Sequence, residues 1–454
     1  MSYTAINPAT GEIVRDFPTA TDQEVKQALE AGSAFYESQK SVSVEKRAEL
    51  LLKLADVMDE NVEELAREAA ENMGKLLREG RGEEVGLCTG ILRYYGTKGI
   101  ELMRPKTYEY GNGKKARLYH QALGIVLSVE PWNFPYSQAI RVLAPCFLLG
   151  NAVILKHAGI VCGCADLLEK LTVEAGFPKG AFKNLFLTHE QTANIMEDPR
   201  ICGVALTGSE KAGRIIAGQA GKNLIKATME LGGTDVFAVL DDADLEKAVK
   251  DAVQARLRNC GQVCTSAKRF IVEESIYDKF VASLKTEFSK LELKNPLDET
   301  ADLGPLSSRD AVLTLTNQVN EAISHGAKVE LEGGAIPGGC YFKPMILSEI
   351  EKGNPAYDAE FFGPVAQIYA AKDDADVIRI ANDSEHGLAG AVYSKDAERA
   401  KKVALAIETG QIFINQPSSA HPELPFGGIK NSGFGREMSD IGLFEFANEK
   451  IVVD

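Results

Sequence analysis

The sequence predicts an α/β protein built around parallel, doubly wound sheet. Two observations carry that expectation. From about residue 123, short apolar runs at 124–129, 152–155, 185–187 and 203–206 alternate with helical stretches at 137–149, 162–175 and 210–219. Strands separated by helices pair in parallel and bind ligands beyond their C-terminal ends. A second alternating region runs from about Asp235 to Gln411 and includes the apolar run Phe270-Ile271-Val272 and the segments 277–291 and 375–382. A chain of 454 residues has room for two or three domains.

The remaining elements follow in order. Asn7-Pro8-Ala9-Thr10-Gly11-Glu12 reads as a turn between two short strands. Residues 21–35 and 44–75 read as charged amphipathic helices, with Leu50, Leu51, Leu54, Ala55 and Met58 as the buried stripe of the second. Asn112-Gly113 predicts a hairpin turn, and the closing Glu449-Lys450-Ile451-Val452-Val453 is strand-like.

Composition narrows the function. A net charge of −15 argues against nucleic acid and anionic membrane as partners, so an anionic ligand needs local arginines, lysines or helix N-termini. The N-terminus shows no basic start followed by an apolar stretch. The longest apolar run, 142–155, is interrupted by Pro145, Gly150 and Asn151, and a cytoplasmic setting is expected. Eight cysteines in a chain this long do not read as a disulfide framework. Cys162-Gly163-Cys164 lacks a second ligand pair and reads as packing, so no metal is expected.

Chemistry concentrates around Cys264 in Asn259-Cys260-Gly261-Gln262-Val263-Cys264, with Glu230-Leu231-Gly232-Gly233 upstream. A thiol and a carboxylate on small-residue turns supply a nucleophile and a base. Four further motifs occur in order: Pro131-Trp132-Asn133-Phe134-Pro135, Leu206-Thr207-Gly208-Ser209, Glu360-Phe361-Phe362-Gly363-Pro364 and Pro425-Phe426-Gly427-Gly428. Together they resemble the aldehyde dehydrogenase superfamily over essentially the whole chain, most closely its succinate-semialdehyde dehydrogenases.

That resemblance implies a Rossmann-like cofactor domain (1–106 and 123–230), an α/β catalytic domain (231–430) and a β extension (107–122 and 431–454) that builds a homodimer or homotetramer. It implies that Cys264 attacks an aldehyde, that the Asn133 amide and the Cys264 N–H hold the oxyanion, and that Glu230 activates water against the resulting thioester and helps deprotonate the thiol. Trp132, Lys156, Gly208, Ser209, Glu360 and Phe362 match cofactor-binding positions. No Gly-x-Gly-x-x-Gly follows a strand, and the Thr207-Gly208-Ser209 turn stands in its place. Relatives that prefer NAD often carry a glutamate three residues after the lysine. Here that position is Gly159, so NADP is expected to be preferred, with NAD as the alternative.

Substrate choice rests on Arg141 and Arg258. Both match arginines that bind the distal carboxylate of succinate semialdehyde, and Ser419 matches less securely a serine used beside them. Glutarate semialdehyde and a broad range of aldehydes are alternatives. A cysteine thioesterase or amidase without redox cofactor, and a non-catalytic structural protein, are rivals of other classes. Cys260 is expected to be a buried free thiol, since the loop cysteine used as a redox switch in some relatives is Ser266 here.

Overall fold

The computed structural model describes residues 3–453. The N-terminal strands Tyr3–Ile6 and Ile13–Phe17 form an antiparallel pair around the expected turn. Helix Asp22–Gln39 starts at a capping box in which Thr21 and Glu24 bond reciprocally. The expected continuous helix over 44–75 is divided into Val44–Glu60 and Val62–Met73. At the junction Asn61 leaves helical geometry, and both its backbone N–H and its side-chain amide donate to Val57 O. Gly74, at φ 83°, closes the second piece.

The first large sheet has six strands. In spatial order they are Gly433–Phe434, Lys226–Glu230, Ile201–Thr207, Ile125–Glu130, Ala152–His157 and Phe182–Asn184. All pairings are parallel except that of Gly433–Phe434, which joins the edge antiparallel. The strand expected at 185–187 lies three residues earlier, at Phe182–Asn184. The Leu185 N–H still bonds Leu155 O of the neighbouring strand, and the chain turns away after it, as the Leu187 N–H bonds Leu185 O. Helices Ser137–Leu149, Cys162–Glu174 and Glu210–Asn223 connect the strands.

The second sheet has seven strands and a buried centre at Val236–Val239 and Arg269–Glu273, flanked by Gly390–Tyr393 and Val365–Ala371. The hairpin at Asn112-Gly113 joins Lys106–Tyr110 to Lys114–Ala122, and the last strand, Ala447–Val453, pairs with Lys114–Ala122 on the other side. Gly433–Phe434, within the 431–454 segment, thus serves the first sheet rather than this ribbon. Among the described residues no helix is long and apolar enough to cross a membrane. All eight cysteines are free, and Cys162 donates its thiol hydrogen to Tyr3 O.

Asn151 ties the ribbon to the first sheet. Fully buried, it accepts from the Leu123 and Gly124 N–H groups and donates to Phe446 O. Asn151→Ala leaves these three groups without partners and should cost about 3 kcal/mol, read as a lower urea midpoint. An unchanged midpoint would show that other contacts hold the ribbon.

Candidate active site

The motifs converge where the two sheets face each other. Gly233 backs onto the nucleophile loop, because a Cβ there would stand 3.0 Å from Cys264 O, and one on Gly232 would stand 2.6 Å from Glu360 Oε2. Gly427 lies against Glu230, whose Oε1 is 2.7 Å from the position of an added Cβ. The Gly208 N–H donates to Glu230 O at 2.9 Å. Small residues at these points let backbone and carboxylate approach closely.

Cys264 opens onto a chamber of about 410 Å³, which Arg141, Arg258, Ser419 and Phe134 also line. Burial pushes its thiol up to about 11, opposed by the positive charges of Lys268 and Arg141 and reinforced by Asp235 and Glu360. The Cys264 N–H has no hydrogen-bond partner among the described residues. Asn133, buried on the adjoining turn, donates one amide hydrogen to Gln262 O at 3.1 Å and accepts at Oδ1 from Gln138. Its amide orientation is thereby fixed and its second N–H remains available.

Glu230 ends its strand with both carboxylate oxygens buried and without hydrogen bonds. Strand register sets Glu130, Thr207 and Glu230 side by side at the C-terminal edge of three neighbouring strands. Burial first, then the Glu437 charge, hold the Glu130 and Glu230 carboxyls well above the usual carboxylate range. Arg141 opposes this shift in both.

Both arginines are already paired. Arg141 Nε stands 2.9 Å from Glu437 Oε2, with side chains 6% exposed on each partner, and the guanidinium lies over Phe426. Arg258 Nε stands 3.3 Å from Glu83 Oε2, with exposures of 21% and 36%. Neither guanidinium stands alone: Arg141 is locked against Glu437, and Arg258 is held by a partner that solvent can reach. Ser419 Oγ shares a hydrogen with His421 Nε2 at 2.8 Å, and Ser418 instead donates to Thr265 O.

Near the C-terminal end of strand Ala152–His157, Lys156 is buried with no side-chain hydrogen-bond partner among the described residues, and burial lowers its pKa. Gly159 begins the short turn Gly159–Val161. Ser209 caps helix Glu210–Asn223 by accepting from the Ala212 N–H. The Gly208 amide is used by Glu230 O, which leaves the first-turn amides of this helix to meet a phosphate. Trp132 and Phe362 meet edge to face at 5.7 Å, and Glu360 Oε1 accepts from the Gly233 N–H at 3.2 Å. Cys260 is buried, with its thiol pushed up to about 12 by burial.

Four residues of this site were not singled out from the sequence: Glu130, Glu437, Glu83 and Lys268. Glu130 did leave a signal, as a charge ending the apolar run 124–129 directly before Pro131. The others owe their places to contacts with distant parts of the chain.

The aldehyde dehydrogenase family model matches residues 1–452. A succinate-semialdehyde dehydrogenase [NADP(+)] of Deinococcus radiodurans is 43% identical over 99% of this chain and 94% of its own length. A succinate semialdehyde dehydrogenase [NAD(P)+] of Escherichia coli is 37% identical over 99% and 97%. The crystal structure of succinic semialdehyde dehydrogenase from Streptococcus pyogenes in complex with NADP+ superposes with a TM-score of 0.97 at 42% identity, covering 99% of both chains.

With its thiol held near 11, Cys264 is almost wholly protonated at neutral pH. Iodoacetamide should label it about tenfold faster per pH unit between roughly pH 7 and 9, because only the thiolate reacts. Mass spectrometry of the labelled peptide checks this, and a plateau below pH 8 would contradict it.

Proposed function

The chain belongs to the aldehyde dehydrogenase family, and on that footing we propose that it oxidises succinate semialdehyde to succinate, with NADP preferred over NAD. One observation carries the substrate: Cys264 opens onto the same chamber as the guanidiniums of Arg141 and Arg258. The names of the relatives support the same substrate and cofactor.

Arg258 is the better placed to meet the distal carboxylate. Its pair with Glu83 is partly solvent-exposed, so an incoming carboxylate displaces it at little cost. Arg141 contributes its fixed positive field from the chamber wall, and Ser419 can turn its hydroxyl toward the substrate. At the other end, the Cys264 thiolate adds to the aldehyde carbon, and the developing oxyanion accepts from the Cys264 N–H and the free Asn133 N–H. Such donors supply about 3 kcal/mol each at the transition state. Glu230, with its raised proton affinity, is matched to take a proton from the thiol or from the water that hydrolyses the thioester.

The residues present fit a dinucleotide. Lys156 is a buried cation with no partner among the described residues, the helix beginning at Glu210 offers free amides to phosphate, and Gly159 has no side chain to oppose a 2′-phosphate. Trp132, Phe362 and Glu360 would enclose the nicotinamide end. Bound there, a nicotinamide would supply the hydride acceptor for oxidation of the aldehyde held on Cys264.

The ribbon of 106–122 and 447–453 exposes two strand edges with Tyr108, Tyr110, Ile451 and Val453 on them. This supports assembly into a dimer or tetramer through that segment. Eight free thiols support a reducing, cytoplasmic setting.

Steady-state rates with succinate semialdehyde, glutarate semialdehyde and butanal, each with NADP and NAD, test the proposal. Arg258→Ala should lower kcat/KM for succinate semialdehyde about 30-fold or more through KM, while butanal changes little. Equal loss on both substrates would remove Arg258 from carboxylate recognition. Arg141→Ala should fail on both, because it strands Glu437 beside Glu230. Glu230→Gln should give a burst of reduced cofactor followed by slow turnover, and loss of the burst itself would assign Glu230 to thiol activation instead.

A further inference from the structure

Lys268 is buried four residues beyond Cys264, and its three ammonium hydrogens serve the nucleophile loop. Nζ donates to Val263 O at 2.9 Å and to Cys264 O at 2.5 Å, reaches Ser266 O at 3.4 Å, and stands 3.1 Å from Glu360 Oε1. The peptide unit that contains Val263 O also contains the Cys264 N–H, and the unit is planar and trans. Holding the carbonyl on one side therefore aims the N–H to the other. A cation on the carbonyl oxygen also polarises the unit, which makes that N–H a stronger donor. Its grip on Cys264 O fixes the following unit, so both peptides flanking the thiol are held by one side chain.

We propose that Lys268 is a positioning residue of the reaction: it aims and polarises the Cys264 N–H at the oxyanion, supplies positive charge beside the thiolate, and ties both to Glu360. The proposal rests on reading Cys264 as the nucleophile and Glu360 as a cofactor contact, and not on which aldehyde is used. The charged and titratable groups facing Cys264 are Lys268, Arg141, Asp235 and Glu360. Among these, Lys268 does most to favour the thiolate, and the two carboxylates oppose it. Asp235 has both oxygens buried without hydrogen bonds, and burial pushes its carboxyl up to about 8, whereas Glu360 is the carboxylate that stands directly against Lys268 Nζ, at 3.1 Å.

The test reads charge and aim separately, using the full chain. Lys268→Met should shift the pH profile of Cys264 labelling by iodoacetamide upward, slowing labelling about tenfold at pH 8. It should also lower kcat with succinate semialdehyde about 10- to 100-fold while KM stays nearly constant, because the oxyanion exists only in and after the transition state. Glu360→Gln, assayed without cofactor, covers the case in which Met at this buried site prevents folding. With the counter-charge gone, labelling at pH 8 should be faster than in the wild type. A folded Lys268→Met protein with an unmoved labelling profile and near-normal kcat would overturn the proposal, as would Glu360→Gln with unchanged or slower labelling. Normal labelling behaviour in a protein that does not oxidise succinate semialdehyde would overturn only the substrate assignment.

Discussion

The site depends on a left-handed turn. Asn259, Cys260 and Gly261 follow one another at φ 50°, 54° and 76°, a run that L-residues do not adopt without outside support. Asparagine tolerates this region and glycine is at home in it. At Gly261 a Cβ would also collide with Gly363 O. The support comes from distant segments. The Asn259 N–H bonds Glu79 Oε1, the Asn259 amide bonds Asn133 O, and Gln262 Oε1 accepts from the Ser307 N–H. The bond to Asn133 O also ties the nucleophile loop to the turn that carries the oxyanion amide, so the two are positioned together.

This explains what was legible in the sequence. Asn133, Glu230, Gly232, Gly233, Cys264 and Gly427 sit where backbones nearly touch, and such positions admit few residue types, so they leave short motifs. The strands and helices of the first sheet were readable for a similar local reason, since their apolar runs are bounded by Pro and Gly. The helix break at Asn61 was missed because a single asparagine competing for Val57 O does not interrupt the apolar stripe. Glu437 and Glu83 were missed because nothing near them in the chain marks a carboxylate that pairs with an arginine far away. Lys268 precedes an arginine and an apolar strand and looks like an ordinary strand entry. The cleft-facing arginines were identified, but their existing partners were not.

The interior balance of charge differs from the exterior one. A protein with net charge −15 repels a dianionic product and an anionic cofactor at long range, and salt screens that repulsion within about 10 Å. Inside, one guanidinium at Arg141 faces the carboxyls of Glu130, Glu230 and Glu437, and burial raises the proton affinity of all three. Removing a proton there is costly unless a cation is near, which couples the readiness of Glu230 to the fixed position of Arg141.

The pairing of Gly433–Phe434 with Lys226–Glu230 bears on how the chain is made. The parallel strands of the first sheet are all synthesised by residue 230, yet its outer edge stays open until the far end of the chain emerges. Until then the strand that ends in Glu230 presents unpaired amides and carbonyls beside a buried-to-be carboxylate. Ribosome-bound chains truncated before residue 433 would carry a sticky, incomplete sheet, and chaperone demand should concentrate in that interval of synthesis. The edge beside Glu230 thus closes only after residue 433, long after the thiol of Cys264 has been made.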